Sequence, residues 1–182
     1  SGIHVCAGHT NASHRQMRAA LAEGLEGVTH LFNAMSPLTA REPGAVGAAL
    51  QEDALWAGII ADGHHVHPAG IRIARRNKPA GKMLLVSDAM ASVGSTEHSF
   101  TLYEETFRCR DGKLVNSAGA LAGSAIALID AVRFCNQVVG LEHLQRKRHL
   151  AVTKWLADHP HKHLTRFGHA SRQQPLDVME AQ

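Results

Sequence analysis

The chain has 182 residues, of which 45% are apolar and only 4% aromatic. This composition excludes a disordered chain and suits one α/β domain or a fragment of a larger one. No apolar run approaches the roughly 20 residues of a membrane span. Residues 1–141 are balanced in charge, so the formal charge of +3 arises in 142–182 and is weak evidence for nucleic-acid binding by the folded part.

The cysteines indicate a reducing compartment. Cys6, Cys109 and Cys135 are odd in number, widely spaced and form no CxxC pair, which disfavours a disulfide framework or a thiolate zinc site. No basic-then-apolar leader is visible either. We therefore expect a cytoplasmic protein that acts on a small molecule and has no membrane or nucleic-acid partner.

The first part of the chain alternates short apolar runs with helical patterns. Strands are predicted over 3–7, 27–31, 55–61 and 82–87, and helices are predicted after Ser13, over 45–50 and over 68–76. The segment 36–44 contains two prolines and a glycine and predicts a loop. The order β-α-β-α-β-α-β predicts a parallel sheet with right-handed crossovers.

The pattern changes beyond the fourth predicted strand. Residues 100–102, 106–109 and 113–115 predict short antiparallel strands, with Asp111-Gly112 as a tight turn. An apolar helix is predicted over 125–139, ended by Gly140. Residues 142–182 show no sustained period, and we interpret them as a divergent, poorly ordered tail.

Side chains able to bind a metal or carry a proton follow each of the four predicted strands. His9 and His30 close the first two, Asp62 and His65 follow the third, and Asp88 follows the fourth. Because the carboxyl ends of parallel strands meet at one edge, this pattern is typical of one wall of a (β/α) barrel active site. The two imidazoles suit a divalent metal, and Asp88 suits proton transfer. Two alternatives stay open: each histidine only forms hydrogen bonds, and Asp88 caps the next segment.

Other polar residues give weaker signals. If the backbone is extended, at most one of His64 and His65 lines a site. Arg41, in the predicted loop, suits phosphate recognition, although an isolated loop arginine is usually solvated. The backbone near Gly123, at the start of the predicted helix, could bind an anion. We interpret one further basic group as a solvated helix face: Arg72, Arg75, Arg76 and Lys78.

Six short motifs occur in a specific order. They are Ala-Gly-His-Thr-Asn-Ala from residue 7, Thr-His-Leu-Phe-Asn-Ala-Met from 29, Arg-Glu-Pro-Gly from 41, Gly-Ile-Ile-Ala-Asp-Gly-His-His-Val from 58, Val-Ser-Asp-Ala from 86 and Leu-Ala-Gly-Ser from 121. Over residues 1–141 this set closely resembles the N-acetylglucosamine-6-phosphate deacetylases of the metal-dependent amidohydrolase superfamily. The tail at 142–182 does not share the resemblance.

The resemblance implies a fold and a metal. The fold is α/β: the second half of a (β/α)8 barrel, strands five to eight, with a small β-hairpin insertion, over residues 1–141 and followed by the tail. The metal is divalent, with zinc expected first and iron or manganese as alternatives, and is held partly by His9 and His30. The family's first half supplies a carboxylate ligand and a carbonyl-polarising histidine that have no match in this sequence.

The resemblance also implies roles for individual residues. Asp88 would be the catalytic acid and base in hydrolysis of the acetamide of N-acetylglucosamine 6-phosphate to glucosamine 6-phosphate and acetate. Arg41 would contact the phosphate, often across a subunit boundary, which implies a homodimer. The residues that would line the sugar phosphate are Asn33, Ala34, Asp62, Gly63, His65, Leu121, Ala122, Gly123 and Ser124, with His64 as a further candidate.

Three alternatives remain open. The chain could be another amidohydrolase, such as a deaminase or a dihydroorotase-like enzyme, although Arg41 and residues 121–124 favour a sugar phosphate. It could be an inactive half-barrel that needs partner chains, because a half-barrel has two open sheet edges and an incomplete metal shell. The third is a histidine-rich tail that buffers metal.

Overall fold

The computed structural model describes residues 2–141, and the predicted tail at 142–182 lies outside the described residues. In chain order the described elements are β1 (Val5–Ala7), α1 (His14–Ala22), β2 (Leu25–Val28), α2 (Gly44–Gln51), β3 (Trp56–Ile60), α3 (Pro68–Asn77), β4 (Met83–Val86), β5 (Ser99–Leu102), β6 (Glu105–Arg110), β7 (Lys113–Val115), α4 (Leu128–Phe134) and a π-helical segment (Cys135–Val139). Within this part of the chain no helix is long and apolar enough to cross a membrane.

The first four strands form a parallel sheet in the order β1-β2-β3-β4. Ala7 lies opposite Val28, Val28 lies opposite Ala57, and Ile60 lies opposite Val86. Ala57 and Ile60 of the inner strand β3 are fully buried, as expected for a strand that is covered on both faces. The predicted parallel sheet is therefore confirmed, and the carboxyl ends of its strands share one edge.

The strands β5, β6 and β7 form a separate antiparallel sheet. Asp111 and Gly112 connect β6 to β7 with φ angles of 51° and 74°, the pair of left-handed residues that a two-residue hairpin turn requires. Phe100 and Phe107 stack across β5 and β6, with ring centroids 5.3 Å apart. The predicted antiparallel strands and Asp-Gly turn are confirmed.

The predicted capping box starts α1. The backbone N–H of Gln16 donates to Ser13 Oγ (3.2 Å), and the backbone N–H of Ser13 donates to Gln16 Oε1 (2.8 Å), so two helix-end donors are satisfied reciprocally. Met17 of α1 is buried in the same core as Ala45 of α2. This core packs against the parallel sheet and fixes the loops at its carboxyl edge.

One predicted strand boundary was wrong. The strand β2 is Leu25–Val28, whereas the sequence pattern predicted 27–31. The strand ends early because His30 adopts a φ of 30°, and a left-handed residue cannot continue an extended ladder. Beyond it, the N–H of Leu31 donates to the carbonyl oxygen of Gly58 (2.7 Å), so the chain still lies against β3.

The predicted helix over 125–139 is also shorter than expected. It begins at Leu128, and from Cys135 it continues as a π-helix that ends at Gly140, the predicted stop. The start is delayed because Ala127 stays extended and its N–H donates to Asp130 Oδ2 (3.1 Å). Gly123 is therefore not at a helix N-terminus, contrary to the prediction.

The prediction of a solvated basic face was wrong for Lys78. This side chain is only 3% exposed, and its Nζ donates to the carbonyl oxygens of Ala49 (3.0 Å) and Glu52 (2.7 Å). The Ala49 carbonyl lies in the last turn of α2, where a helix has no backbone donor left for it. Glu52 directly follows the helix, and its carbonyl also accepts the N–H of Leu55 (3.1 Å). Burial lowers the pKa of Lys78. Arg72 likewise donates to a carbonyl oxygen at the end of the π-helical segment (3.1 Å).

Candidate active site

Each strand of the parallel sheet is followed by one candidate residue, two positions beyond the strand's last residue. These are His9 after β1, His30 after β2, Asp62 after β3 and Asp88 after β4. Three of them have left-handed backbones, with φ angles of 47° at His9, 30° at His30 and 51° at Asp88. Such angles are uncommon for residues other than glycine and mark strain of order 1–3 kcal/mol that often accompanies a functional site.

The two imidazoles lie beside one another. The ring centroids of His9 and His30 are 4.8 Å apart at an angle of 72°. His30 is only 7% exposed, and its Nδ1 is buried without a hydrogen-bond partner. An orphaned buried nitrogen destabilises a fold by about 1–3 kcal/mol. A metal ion is a partner that would satisfy such a nitrogen, and the two rings therefore fit one ion.

A glycine allows the two imidazoles to approach each other. An ideal Cβ at Gly8 would lie 2.3 Å from Thr29 Cγ2 and 3.8 Å from His30 Cε1. The first distance is far shorter than carbon atoms tolerate, so a side chain at position 8 would force either the Thr29 side chain or the two strand ends to move. The close spacing of the strand ends depends on this glycine.

The described residues supply only part of a metal shell. Within residues 2–141 no group of three or more His, Cys, Asp or Glu side chains could hold a metal ion. Catalytic zinc sites ordinarily take three protein ligands. His9 and His30 would therefore be two ligands of an incomplete set, and Asp88 does not join them as a third.

The loop after β2 packs on the residues that follow His9. The N–H of Thr10 donates to the carbonyl oxygen of Ala34 (2.9 Å), and the Asn33 amide donates to the carbonyl oxygens of His30 (3.3 Å) and Leu31 (3.4 Å). Thr10 is 7% exposed and was missed as a positioning residue. Its Oγ1 accepts the N–H of Ala12 (3.1 Å), a short-range turn that a threonine in a polar loop can signal.

The predicted loop at 36–44 is ordered by Glu42. Its carboxylate accepts the N–H groups of His14 (2.8 Å) and Gly44 (2.9 Å), and these hydrogen bonds lower the pKa of Glu42. The adjacent Arg41 is exposed and forms no hydrogen bond or ion pair with another described residue. Its guanidinium could therefore bind an anion that does not belong to the described residues.

Asp62 organises a tight turn after β3. Its Oδ1 accepts the N–H groups of His64 and His65, each at 2.8 Å, and its Oδ2 accepts Nδ1–H of His65 at 2.6 Å. The side chains of Asp62 and His65 are 3% and 6% exposed. Burial alone would raise the pKa of Asp62, but the hydrogen bonds from His65 and His64 outweigh it, so the pKa is lowered. His64 itself is exposed.

The segment 121–124 lies directly against Ser87 and Asp88, the two residues that follow β4. The N–H of Ser124 donates to the carbonyl oxygen of Asp88 (2.8 Å), and Met90 N–H donates to that of Ser124 (3.2 Å). Ser124 Oγ also donates to the carbonyl oxygen of Ser87. Gly123 has a φ of 75°, and an ideal Cβ there would lie 3.0 Å from the Asp88 oxygen. The backbone of Asp88, a residue that is exposed, thus lies beside this segment.

The structure therefore brings the candidates together in three groups along the carboxyl edge. His9 and His30 meet beside the loop of Asn33 and Ala34, Asp62 meets His65, and Asp88 meets residues 121–124. Arg41 is exposed and has no hydrogen-bond or ion-pair partner among the described residues.

No family model matches the chain, but individual proteins do. It is 42% identical over 132 residues to an N-acetylglucosamine-6-phosphate deacetylase of Vibrio furnissii, covering 72% of this chain and 33% of that protein. It is 40% identical over 134 residues to an N-acetylgalactosamine-6-phosphate deacetylase of a Shewanella species, covering 74% and 34%. The crystal structure of N-acetylglucosamine-6-phosphate deacetylase from Pasteurella multocida aligns with a TM-score of 0.73 at 41% identity, covering 77% and 37%.

The matched part of the chain spans about a third of the length of these relatives. Sequence and structure comparisons agree on that part, and the proteins they find are deacetylases, which are hydrolytic enzymes. The resemblance seen in the sequence motifs is thereby confirmed: over about three quarters of its length this chain is related to the N-acetylglucosamine-6-phosphate deacetylases.

Proposed function

We propose that residues 1–141 form the second half of a (β/α) barrel active site that hydrolyses the acetamide of N-acetylglucosamine 6-phosphate to glucosamine 6-phosphate and acetate. The observation that carries the proposal is the contact between His9 and His30 at the strand ends, with His30 Nδ1 buried and unpartnered. The relatives' names supply the substrate. In this proposal the protein is a cytoplasmic homodimer, and residues 142–182 are a divergent tail.

The imidazoles of His9 and His30 would hold part of a divalent metal shell, zinc first and iron or manganese next. A bound zinc would lower the pKa of a water to about 7, far below its value in bulk solvent, and so supply a nucleophile at neutral pH. The side chain of Asp88 would act as the general base and then as the general acid. Its carboxylate accepts a proton from the attacking water and delivers it to the nitrogen of the departing amine.

Three further groups of candidates would bind the sugar phosphate. Asn33 and Ala34 lie beside the imidazoles, residues 121–124 lie beside Asp88, and the exposed Arg41 would contact the phosphate of a substrate in the partner subunit. Among the relatives both N-acetylglucosamine and N-acetylgalactosamine 6-phosphates occur. These sugars differ only in the orientation of one hydroxyl, and a site that hydrogen-bonds one orientation rejects the other.

The test is metal analysis combined with acetate release by the purified 182-residue chain. We expect a bound divalent metal and acetate from N-acetylglucosamine 6-phosphate, less from its galactose counterpart and little from unphosphorylated N-acetylglucosamine. His30→Gln should lose the metal, whereas His14→Gln, in which the ring that contacts Gln51 on α2 is replaced, should keep it. Equal rates with and without the phosphate would remove the role of Arg41 and favour another amidohydrolase, such as a deaminase or a dihydroorotase-like enzyme.

A second candidate is an inactive half-barrel that needs partner chains. Two observations favour it: the described residues offer only two metal ligands at the strand ends, and β1 and β4 are the outer strands of the parallel sheet. Open edges of this kind invite pairing with further strands. In that case the chain alone should be inactive, and mixing it with the amino-terminal half of the Vibrio furnissii relative should restore acetate release.

A further inference from the structure

We infer that Asp62 is a positioning residue, which acts by fixing the tautomer and orientation of His65 rather than by touching a substrate. Both of its carboxylate oxygens are already engaged, Oδ1 by two backbone N–H groups and Oδ2 by His65 Nδ1. The side chain is only 3% exposed. A substrate group would have to displace one of these short hydrogen bonds to reach it.

The hydrogen bond determines where the proton of His65 resides. A carboxylate only accepts hydrogen bonds, so the nitrogen that faces it, Nδ1, must carry the hydrogen. The other nitrogen, Nε2, forms no hydrogen bond with a described residue. Among the described residues, the fully buried side-chain N and O atoms without a partner are His30 Nδ1 and Ser92 Oγ. His65 Nε2 has no partner among these residues and is not in this group, so this atom is accessible to solvent. It is presented outward with a defined protonation.

The turn that carries Asp62 and His65 packs against two other elements, α4 and the β6–β7 turn. Gly63 has a φ of 79°, and an ideal Cβ there would lie 2.9 Å from the Phe134 ring of α4. An ideal Cβ at Gly112, in the β6–β7 turn, would lie 3.3 Å from His64 Nε2. A turn held in this way keeps its side chains in one geometry before any ligand arrives, which is the arrangement that binding of a specific group needs.

The chemical consequence is that His65 meets its ligand through Nε2. As a neutral ring it accepts a hydrogen bond from a hydroxyl, and as a charged ring it donates one to an oxyanion such as a phosphate. This ligand assignment rests on the proposed function. The assignment of the tautomer does not.

The sharpest perturbation is Asp62→Asn. The amide oxygen can still accept the two backbone N–H groups that shape the turn, while the amide NH₂ replaces the oxygen that faces His65. An NH₂ group cannot accept from Nδ1–H, so the ring is pushed towards the tautomer with hydrogen on Nε2, as for the aspartate of a catalytic triad. His67→Asn is the control, since it changes a nearby imidazole whose Nδ1 only accepts the N–H of Ala69 at the start of α3.

The experiment is NMR of the full chain with ¹⁵N-labelled histidine, with His65 assigned by comparison with His65→Gln. We expect Nδ1 of His65 to be protonated in the wild type and in His67→Asn, and the population to shift towards Nε2–H in Asp62→Asn. A wild-type His65 with hydrogen on Nε2 overturns the inference, and so does a folded Asp62→Asn with an unchanged tautomer. The wild-type spectrum decides the tautomer even if the variant does not fold.

Binding of N-acetylglucosamine 6-phosphate gives the second measurement, by calorimetry on the same proteins. We expect affinity to fall about tenfold in Asp62→Asn and to stay unchanged in His67→Asn. Full affinity in an Asp62→Asn protein whose tautomer has shifted would overturn the positioning role. If the wild type binds no sugar phosphate, the proposed function fails, while the tautomer result still decides what Asp62 does.

Discussion

Replacing Gly8 by alanine should separate the two strand ends that carry the imidazoles. The added Cβ would lie 2.3 Å from Thr29 Cγ2, and overpacking of this kind destabilises by about 1–3 kcal/mol. Gly8 is not among the glycines with positive φ, so alanine causes no backbone strain and stabilises by about 0.4–1 kcal/mol through the unfolded chain. The expected net loss is about 1–2 kcal/mol.

Thr29→Ser provides the decisive control, because it deletes the methyl group that meets the new Cβ. Alone it should destabilise by about 0.8 kcal/mol, the value of one buried carbon. Combined with Gly8→Ala it should restore most of the lost stability, so a double-mutant cycle by urea unfolding should show a coupling energy of about 1–2 kcal/mol. Additive losses, or a fully stable Gly8→Ala, would refute the close approach of β1 and β2. Zinc affinity should fall in Gly8→Ala and recover in the double variant, since the spacing of His9 and His30 depends on these strand ends.

Three further perturbations have defined outcomes. Lys78→Met keeps the apolar stem but leaves the Ala49 carbonyl unpaired and the Glu52 carbonyl with only the N–H of Leu55. Urea unfolding should show a loss of about 1–3 kcal/mol, against less than about 0.5 kcal/mol for the exposed Arg75→Met; equal losses would contradict the capping role. Asp88→Gly should change the free energy of unfolding by less than about 0.5 kcal/mol or raise it, because relief of the left-handed strain offsets the backbone entropy of glycine. Ala91→Gly, at a residue with negative φ, should instead lose about 0.5–1 kcal/mol. Equal losses in the two variants would show that the Asp88 backbone is not strained. The pKa of Asp62 is lower in the folded chain than in the unfolded chain, so its carboxylate stabilises the fold above the unfolded-state pKa, and this stabilisation is lost as pH falls through the folded-state pKa. The free energies of unfolding at about pH 5 and about pH 3 should therefore differ less in Asp62→Asn than in the wild type. An identical pH dependence in the two proteins would show that the carboxylate is not linked to folding.

The sequence predicted those features that depend on residues close together in the chain. The Ser13–Gln16 capping box and the Asp111-Gly112 turn each involve only a few neighbouring residues, and both formed as expected. The apolar runs predicted the four parallel strands, although only the inner strands β2 and β3 are largely buried and the outer strand β1 is mostly exposed. The strand ends also predicted the positions of His9, Asp62 and Asp88, whereas His30 lies two residues beyond β2 although the pattern extended that strand to residue 31.

Features that depend on distant residues could not be predicted in this way. Lys78 occurs in a basic run typical of a solvated face, but its ammonium reaches carbonyls 26 and 29 positions earlier in the chain. The delayed start of α4 depends on the Asp130 carboxylate, which holds Ala127 extended. In both cases a long-range or capping hydrogen bond overrode the apolar or charged pattern.

The backbone at the strand ends supports the site independently of any relative. After β3 the left-handed residue is Gly63, next to Asp62, so no side chain bears the strain. After β1, β2 and β4 the first left-handed residue is the candidate itself, His9, His30 or Asp88, where glycine would fit the backbone better. Glycine, however, can neither bind a metal nor carry a proton. Phe32 and Ala34 in the loop after β2 are left-handed as well, so the backbone alone does not single out the site. Since strain of this kind often persists where the side chain is needed, the conformations of His9, His30 and Asp88 agree with the roles that their chemistry suggests.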